Sequence, residues 1–347
     1  MPVRVSWGYN DYGQLGDGST NSTPTPVQVF GLESGTVKEI TAGIYHTCAL
    51  KTNGSVVCWG YNGSSQLGNG STNSTPTPVQ VFGLVADLPG QEKITAGDYH
   101  TCALKTNGSV VCWGYNGYGQ LGDGSTSDKT TPVQVFGLES GTVKEITAGT
   151  YHTCALKTNG SMVCWGYNDY GQLGDGSYSN KPTPVQVSNL GSGTVKEITA
   201  GYNHTCALKT NGSMVCWGYN GFGQLGDGST NSTPTPVQVS NLGASTVKEI
   251  ITGYVHTCAL KTDGSMVCWG NNGSGQLGDG STNSTPTPVQ VFGLGSETVK
   301  EITAGDYHTC ALKTNGSVVC WGYNGSGQLG NGSYSNKLTP VQVFGLE

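Results

Sequence analysis

The chain has 347 residues and a net charge of −6 at pH 7; only 11% of its residues are charged, while 56 are glycine. The negative balance argues against a nucleic-acid partner, because phosphate binding normally leaves a basic patch on a protein. The apolar runs fall short of the roughly 18 residues that a membrane-spanning helix needs, and no signal-peptide pattern follows Met1. We therefore expect either a cytosolic protein or the mature form of an exported one.

The chain is built from one internal repeat. Its seven tryptophans are spaced by 52 residues, except for one interval of 54. Self-similarity at a fixed period of this kind is the signature of a repeat architecture. We therefore predict a single domain over residues 1–347, with repeats starting at Trp7, Trp59, Trp113, Trp165, Trp217, Trp269 and Trp321.

Each repeat contains four predicted strands, as in residues 37–82. In chain order they are VKEITAG, which ends in a glycine turn, HTCALKT, SVVCWG and TPVQVF, and a glycine-rich loop joins the last two. Asn53-Gly54, between the second and third strands, is a strong hairpin signal. Four antiparallel strands in every repeat of ~50 residues predict an all-β propeller of four-stranded blades. The competing β-solenoid has shorter repeats.

The repeat pattern GxxHTCALKTNGSVVCWGYNxxGQLGDG resembles the repeat of the regulator of chromosome condensation family. In the first full copy the resemblance is carried by Gly43, His46, Ala49, Leu50, Trp59, Gly60, Asn62, Gln66, Leu67 and Gly68. The match extends over essentially the whole chain and implies a propeller, usually with seven blades. Members of the family include a nuclear nucleotide-exchange factor and secreted propellers that inhibit β-lactamases, so the fold alone does not give the function. In character we expect this chain to be closer to the secreted bacterial members.

The twelve cysteines form six pairs, each spanning a predicted hairpin. If residues 52–54 form a three-residue loop with Gly54 in the left-handed conformation, Lys51 faces Ser55 and Cys48 falls opposite Cys58. Opposed strand residues bring their Cβ atoms close to the distance that a disulfide needs. We therefore predict the disulfides Cys48–Cys58, Cys102–Cys112, Cys154–Cys164, Cys206–Cys216, Cys258–Cys268 and Cys310–Cys320.

The alternatives for these cysteines are free buried thiols and zinc ligands. The Cys-x9-Cys spacing lacks the close cysteine pairs of zinc knuckles, and the even count with low charge favours disulfides. Disulfides imply an oxidising compartment, so we expect an extracellular or cell-surface protein. Each blade also has one histidine, such as His46, which we expect to bond to loop backbone rather than to share a metal or sense pH.

The repeats differ mainly in two loops, at the two residues before each histidine and at the pair after YN or NN. In an antiparallel blade both loops leave the same end of the sheet. The exchanged residues are largely aromatic or acidic, types suited to recognition, although neutral drift in exposed loops is the alternative. We predict a binding surface formed by Tyr12, Ile44, Tyr45, Asp98, Tyr99, Tyr118, Thr150, Tyr151, Tyr170, Tyr202, Asn203, Phe222, Tyr254, Val255, Asp306 and Tyr307.

No residue pattern supports catalysis, because the repeat multiplies every candidate nucleophile. The segment NDYGQLGDGS contains acidic residues, but their spacing differs from that of an EF-hand loop, and two copies of the segment replace the acids altogether. We therefore predict a non-enzymatic protein without a cofactor or metal ion.

The two ends of the chain together supply only the third and fourth strands of a seventh repeat. Ser6 stands where each full copy has its second cysteine, whose partner would lie in a strand that this repeat lacks. We expect six complete blades and a half-blade. They would form a seven-fold ring with one thin blade, a six-bladed ring with an overhang, or an open edge that another molecule completes.

Three functions fit this pattern. The first is a secreted or surface scaffold that binds a protein or glycan through its aromatic rim. The second is a structural subunit that self-assembles through the incomplete blade. The third is nucleotide exchange on a small GTPase, which the resemblance suggests but the cysteines and the charge oppose.

Overall fold

The computed structural model describes residues 5–33, 35–84, 91–190, 194–242, 247–294 and 299–346. Within these ranges the chain forms six four-stranded antiparallel sheets and one two-stranded sheet, each with its strands in sequence order. The predicted all-β propeller, with six complete blades and an incomplete seventh, is confirmed.

The two-stranded sheet pairs β1 (Val5–Gly8) with β2 (Thr23–Gln28). Blade 1 contains β3 (Val37–Ala42), β4 (His46–Lys51), β5 (Val56–Gly60) and β6 (Thr75–Gln80). Blade 2 contains β7 (Gln91–Ala96), β8 (His100–Lys105), β9 (Val110–Gly114) and β10 (Lys129–Gln134). Blade 3 contains β11 (Val143–Ala148), β12 (His152–Lys157), β13 (Met162–Gly166) and β14 (Lys181–Gln186).

Blade 4 contains β15 (Val195–Ala200), β16 (His204–Lys209), β17 (Met214–Gly218) and β18 (Thr233–Gln238). Blade 5 contains β19 (Val247–Thr252), β20 (His256–Lys261), β21 (Met266–Gly270) and β22 (Thr285–Gln290). Blade 6 contains β23 (Val299–Ala304), β24 (His308–Lys313), β25 (Val318–Gly322) and β26 (Lys337–Gln342).

The described chain divides into two compact units. Unit 1 contains β1, the end of β2 and blades 1 to 3. Unit 2 contains Thr23–Pro26 at the start of β2, the segment Tyr170–Tyr178 that follows β13, and blades 4 to 6.

The central hairpin of each blade has the predicted register. In blade 1, Cys48 lies opposite Cys58 and Leu50 opposite Val56. Gly54 closes the turn with a φ of 81°, a left-handed conformation that glycine adopts without steric cost. The two cysteines form a disulfide with Cα atoms 4.1 Å apart, and the other five blades have the equivalent bond. The six predicted disulfides are confirmed.

The apolar core lies between neighbouring blades. Trp113 of blade 2 is fully buried and packs with Cys48, Cys58 and Leu67 of blade 1. In unit 2, Trp269 of blade 5 lies in the equivalent cluster with residues of blade 4. Truncating a buried aromatic side chain to alanine typically costs about 3–5 kcal/mol. Because Cys48 and Cys58 lie in one cluster with Trp113 of the next blade, this disulfide contributes to packing between blades as well as to its own hairpin.

A close contact between loop and strand restricts one residue at each junction between blades. Gly119, in the loop after β9, has a φ of 82°, and a Cβ atom there would lie 2.5 Å from Pro182 Cα in β14. Blade 1 has Ser65 at the equivalent position, with a φ of 66°, and faces a strand in which Thr130 takes the place of the proline. The Gly70 amide donates to the Thr130 carbonyl at 2.9 Å, so this loop also reaches the next blade.

Ser6 in β1 occupies the position of the second cysteine in the complete blades. Its hydroxyl donates to the carbonyl of Leu15 at 2.6 Å. The serine therefore uses its hydrogen bond to hold the loop that follows its own strand.

Candidate binding surface

A buried asparagine shapes the loop between the third and fourth strands. In blade 2, Oδ1 of the fully buried Asn116 accepts from the Leu121 amide at 3.0 Å. Its Nδ2 donates to the Asp123 carboxylate at 3.2 Å and to the carbonyls of Ser125 and Ser127, both at 3.1 Å. These bonds fold the loop around the asparagine, so the glycine-rich segment is a structural turn. The equivalent asparagines are Asn10, Asn62, Asn168, Asn220, Asn272 and Asn324.

The carboxylate of Asp123 belongs to this turn. Its partial burial works to raise its pKa, but hydrogen bonds from Ser125, Lys129 and Asn116 outweigh that effect and lower the pKa below its usual value. In blade 1 the neutral Asn69 takes the place of the aspartate and accepts from Asn62 Nδ2 at 3.3 Å. A negative charge is therefore not required at this position. Among the residues that the structure describes, no three His, Cys, Asp or Glu side chains are grouped as metal ligands.

A second network joins each loop to the next blade. The main-chain carbonyl of Gln66 accepts from Trp113 Nε1 and from Thr101 Oγ1, both at 2.9 Å. The same threonine oxygen lies 2.9 Å from His46 Nε2. Since a hydroxyl carries one hydrogen, which Thr101 donates to Gln66, the Thr101 oxygen accepts from the histidine. The loop that presents the candidate surface is thus fixed to the core of its neighbour.

This network assigns the protonation state of His46. Its hydrogen lies on Nε2, and Nδ1 is buried with no hydrogen-bond partner among the described residues. Burial lowers the pKa of His46 to about 3, so the ring is neutral near neutral pH. The prediction that the histidine bonds to loop backbone is wrong, because the imidazole bonds to a side chain of the next blade. The same histidine–threonine contact is made by His100 with Thr153, His204 with Thr257 and His256 with Thr309.

Tyrosines from two loop types meet at the junction between blades 2 and 3. Tyr118, in the loop after β9, contacts Tyr151 and Tyr167 of blade 3, with ring centroids 5.3 and 4.8 Å apart. Tyr99 stacks on Tyr151 at 5.4 Å with an interplanar angle of 8°, and Tyr115 contacts Tyr118 at 6.1 Å. We call these five side chains platform B. Contacts of this kind hold the rings against one another, so they form a continuous aromatic surface.

Platform A is the equivalent group beside blade 1. Tyr12, in the loop after β1, contacts Tyr45 at 5.2 Å and Tyr61 at 4.9 Å, and Tyr9 lies 6.1 Å from Tyr45. Burial and a hydrogen bond with Asp11 raise the pKa of Tyr9 to about 12, so its hydroxyl remains protonated near neutral pH. Tyr12 is 38% exposed, which leaves part of platform A open to solvent.

Comparison of the repeats missed one tyrosine position in these platforms. The tyrosine of the WGYN element occurs in six of the seven repeats, so variation does not mark it. The available signal was the one remaining repeat, which starts at Trp269 and has Asn271 in place of the tyrosine. The missed residues are Tyr9, Tyr61, Tyr115, Tyr167, Tyr219 and Tyr323.

Unit 2 arranges its aromatic residues differently. In blades 4 and 5 the tyrosine stands two residues before the histidine rather than one. As a result, Tyr202 stacks on Tyr254 with centroids 4.0 Å apart and an interplanar angle of 18°. Tyr254 also lies 5.4 Å from Tyr307 of blade 6. Tyr170 contacts Tyr219 at 4.9 Å.

Four of the sixteen predicted surface residues are buried. Thr150 donates its hydroxyl hydrogen to the Asp98 carboxylate at 2.5 Å, and Asn203 accepts from Gln172 Nε2 at 3.0 Å. Val255 is 5% exposed. The prediction that these four residues are exposed is wrong. Their side chains are buried and support the loops. The predicted residues that are partly or well exposed are Tyr12, Ile44, Tyr45, Tyr99, Tyr118, Tyr151, Tyr170, Tyr202, Phe222, Tyr254, Asp306 and Tyr307.

The bond between Asn203 and Gln172 reflects a wider exchange between tyrosine and asparagine. Gln66 and Gln120 occupy the equivalent position in blades 1 and 2, and their Nε2 atoms are buried without a hydrogen-bond acceptor among the described residues. Asn203 replaces a tyrosine and supplies that acceptor. Asn271 does the same for Gln276, across 2.7 Å. Replacing tyrosine by asparagine therefore turns an aromatic site into a polar one and satisfies a buried amide.

The loops after the first and third strands carry a strongly biased charge. They contain no lysine or arginine. Their ten acidic residues are Asp11, Asp17, Asp98, Asp123, Asp128, Asp169, Asp175, Asp227, Asp279 and Asp306.

A second set of exposed aromatic residues follows the fourth strands, at the other end of the sheets. Phe30, Phe82 and Phe136 are each 66% exposed, and Phe292 and Phe344 are similarly open. The residues predicted from the sequence to form a binding surface do not include them. The described residues include no helix that could cross a membrane.

Comparison with known proteins assigns the chain to a family. The family model described as the RCC1-like domain matches residues 4–347. The chain belongs to the RCC1-like family. This RCC1-like protein is 33% identical over 345 residues to the ultraviolet-B receptor UVR8 of Arabidopsis thaliana, a match that covers 99% of the chain and 78% of the receptor. The resemblance identified from the repeat pattern is confirmed at the level of the family.

Other relatives of this RCC1-like protein are longer or more distant. It is 32% identical over 315 residues to the Homo sapiens E3 ubiquitin-protein ligase HERC2, but the match spans only 6% of that ligase. Human WBSCR16 has a TM-score of 0.85 and 23% identity over 99% of this chain and 94% of that one. Yeast RCC1 (Prp20), solved with Kap60, has a TM-score of 0.86 and 23% identity over 99% and 84% of the two chains. The two solved structures support the fold alone.

Proposed function

We propose that this RCC1-like protein is a non-enzymatic binding scaffold whose tyrosine platforms recognise another protein. The observation that carries the proposal is platform B, where five tyrosines lie in contact and the loop that carries Tyr118 is held in place by the buried Asn116. Tyrosine offers a large contact area and a hydrogen bond while losing little conformational entropy. Clusters of such residues commonly dominate the affinity of protein interfaces.

A protein partner is favoured over a glycan by the comparisons. Yeast RCC1 (Prp20) is bound to Kap60 in one structure, and another concerns its binding to Gsp1p and histones. At least one protein with this fold therefore binds other proteins. Our proposal for this chain is limited to protein recognition, and it includes neither nucleotide exchange nor the ligase activity of the much longer HERC2.

We also propose that the protein works outside the cytosol. The support is the set of six disulfides, whose cysteines are almost completely buried. Disulfides of this number persist in oxidising compartments and are rare where glutathione keeps thiols reduced. Peptide mapping without reductant, on protein taken from its native source, tests this. Six bonded pairs support export, and twelve free thiols overturn it.

The binding proposal is tested by screening the purified protein against protein and glycan arrays. For the protein that binds, Tyr118→Ala should weaken affinity by more than about 30-fold, the scale of an aromatic hot spot. Tyr178→Ala is the matched control, because Tyr178 is 52% exposed in the same type of loop and makes no ring contact within the described residues. Equal losses for the two variants would contradict the platform as the site.

The same preparation separates the scaffold from a self-assembling subunit. Light scattering during size-exclusion chromatography gives the mass over a range of concentrations. A mass of 36.0 kDa at every concentration supports the scaffold. An increase in mass with concentration that also occurs in the Tyr118→Ala variant would favour the alternative, which is assembly through the two-stranded sheet.

A further inference from the structure

Asp306 stands apart from the other acidic residues of the loops after the first strands. It lies two residues before His308 in blade 6, at the position that Asp98 occupies in blade 2. Asp98 is buried and accepts the hydroxyl hydrogen of Thr150. Asp306 is partly buried, and within the described ranges its carboxylate makes no side-chain hydrogen bond or ion pair. A carboxylate withdrawn from water in this way lacks the partner that its counterpart has.

Tyrosines occupy the loops next to Asp306 and the position that follows it. The Asp306 carbonyl accepts from the Tyr254 amide at 3.1 Å, and the Tyr254 carbonyl accepts from the Tyr202 amide at 3.0 Å. These bonds align the three loops. Tyr254 stacks on Tyr202 at 4.0 Å and lies 5.4 Å from Tyr307, which is 38% exposed. One carboxylate and a row of three tyrosines thus occupy the same short stretch of unit 2.

The described loops at this end of unit 2 provide no cationic side chain for Asp306. Besides Asp306, the loops of unit 2 that follow first and third strands contain Asp175, Asp227 and Asp279 and no lysine or arginine. Partial burial raises the pKa of Asp306 to about 6, as expected for a carboxyl group that loses hydration without gaining a cation. The group remains mostly ionised at neutral pH, where an incoming cation would restore the lost interaction energy.

We infer that Asp306 and the row Tyr202, Tyr254 and Tyr307 form a site for one lysine or arginine side chain of the bound protein. An ammonium or guanidinium group can interact with both components of this site. It forms a charge-assisted hydrogen bond with a carboxylate, and it is attracted to the faces of tyrosine rings. The inference rests on the proposed binding function and adds that the recognised segment is basic.

The test uses three heptapeptides of sequence Gly-Ser-Gly-X-Gly-Ser-Gly with blocked ends, in which X is arginine, lysine or citrulline. Binding to the intact protein is followed by NMR through the amide signals of Tyr254 and Tyr307. We expect saturable shifts with arginine and lysine, and at least about tenfold weaker binding with citrulline, which keeps the shape but lacks the charge. Equal binding of the arginine and citrulline peptides would overturn the site.

Substitutions test which side chains the peptide binding depends on. Asp306→Asn preserves shape and should weaken arginine-peptide binding by about tenfold or more, while Asp98→Asn, at the paired acid of unit 1, should leave it unchanged. Thermal melting of both variants checks that the fold is intact, and Tyr307→Leu, an exposed position, provides a second independent loss of binding. Methylguanidinium is the probe for a small free cation. If it binds as tightly as the arginine peptide, the assignment to a protein segment is wrong.

Failure of this inference can be distinguished from failure of the binding function. A partner from the array whose affinity falls with Tyr118→Ala but not with Asp306→Asn would leave the scaffold standing and remove the cation site. If binding of the arginine peptide requires Asp306 but the screen yields no protein partner, the cation site is supported and the scaffold function is not.

Discussion

His46 donates its Nε2 hydrogen to the hydroxyl of Thr101, a residue 55 positions later in the next blade, across 2.9 Å. The threonine in turn donates to the main-chain carbonyl of Gln66, which also accepts from Trp113. One hydroxyl therefore connects the buried histidine of one blade to the loop that presents the tyrosine platforms.

Thr101→Val should lower the free energy of unfolding by about 1–3 kcal/mol. Valine has nearly the shape of threonine, but it leaves the buried Nε2–H of His46 without an acceptor and removes one donor from Gln66. Urea denaturation measures the change. Thr72→Val, at an exposed loop position, is the control and should lie within about 0.5 kcal/mol of the wild type. A neutral Thr101 variant would show that the network contributes nothing to stability.

Stability should fall as the pH decreases below about 6.5. Burial lowers the pKa of the histidines in the folded protein, and an unfolded histidine titrates near 6.5, so between these values only the unfolded chain binds the proton. Each histidine then costs up to about 1.4 kcal/mol per pH unit. The pKa is about 3 for His46, His100, His152 and His256, and about 4 for His308.

Urea denaturation between pH ~7 and pH ~5 measures this dependence. His46→Gln should reduce the slope by the contribution of one histidine. Burial raises the pKa of Glu39, Glu249 and Asp306, and these groups oppose the trend because they bind protons preferentially in the folded protein. A slope that His46→Gln leaves unchanged would mean that His46 binds its proton in the folded protein over the same pH range as in the unfolded chain.

Gly119→Ser should destabilise the protein by more than about 2 kcal/mol, because a side chain there meets Pro182 and must also adopt a left-handed backbone. The chain also offers a matched substitution in the opposite direction. Ser65→Gly, at the equivalent position facing Thr130, should raise stability by about 1 kcal/mol through relief of the left-handed strain. Thermal melting of the two variants measures both signs, and a stabilising Gly119→Ser would refute the steric argument.

Removing one disulfide with Cys48→Ala and Cys58→Ala should cost about 2–3 kcal/mol, the value for a loop of this length. A further loss is expected because Trp113 packs against both sulfurs. The fluorescence of the tryptophans reports the repacking. The variant is compared with the wild type under oxidising conditions, where the other five disulfides stay intact in both, and an unchanged melting temperature would contradict the packing role.

Much of the fold was predictable because it depends on short stretches of the repeat. The Asn-Gly turn and the alternation of the flanking residues determine the hairpin register, so the pairing of Cys48 with Cys58 followed from counting. The variable loops were also correctly placed at one end of each blade. Their exposure was not predictable, since Asp98 and Tyr99 are adjacent in sequence, yet one is buried against Thr150 and the other lies in platform B.

The sequence by itself determined the repeat, the strands, the hairpin turns and the disulfide pairs, because these arise from interactions within about 15 residues of one another. Only the tertiary structure decided that His46 bonds to Thr101, that Tyr118 meets Tyr151 and Tyr167, and that Asp98 accepts a hydrogen bond from Thr150. Each of these relationships joins residues of different blades. Near-identical repeats specify such contacts only through packing, because residues about 50 positions apart become neighbours when one blade stacks against the next.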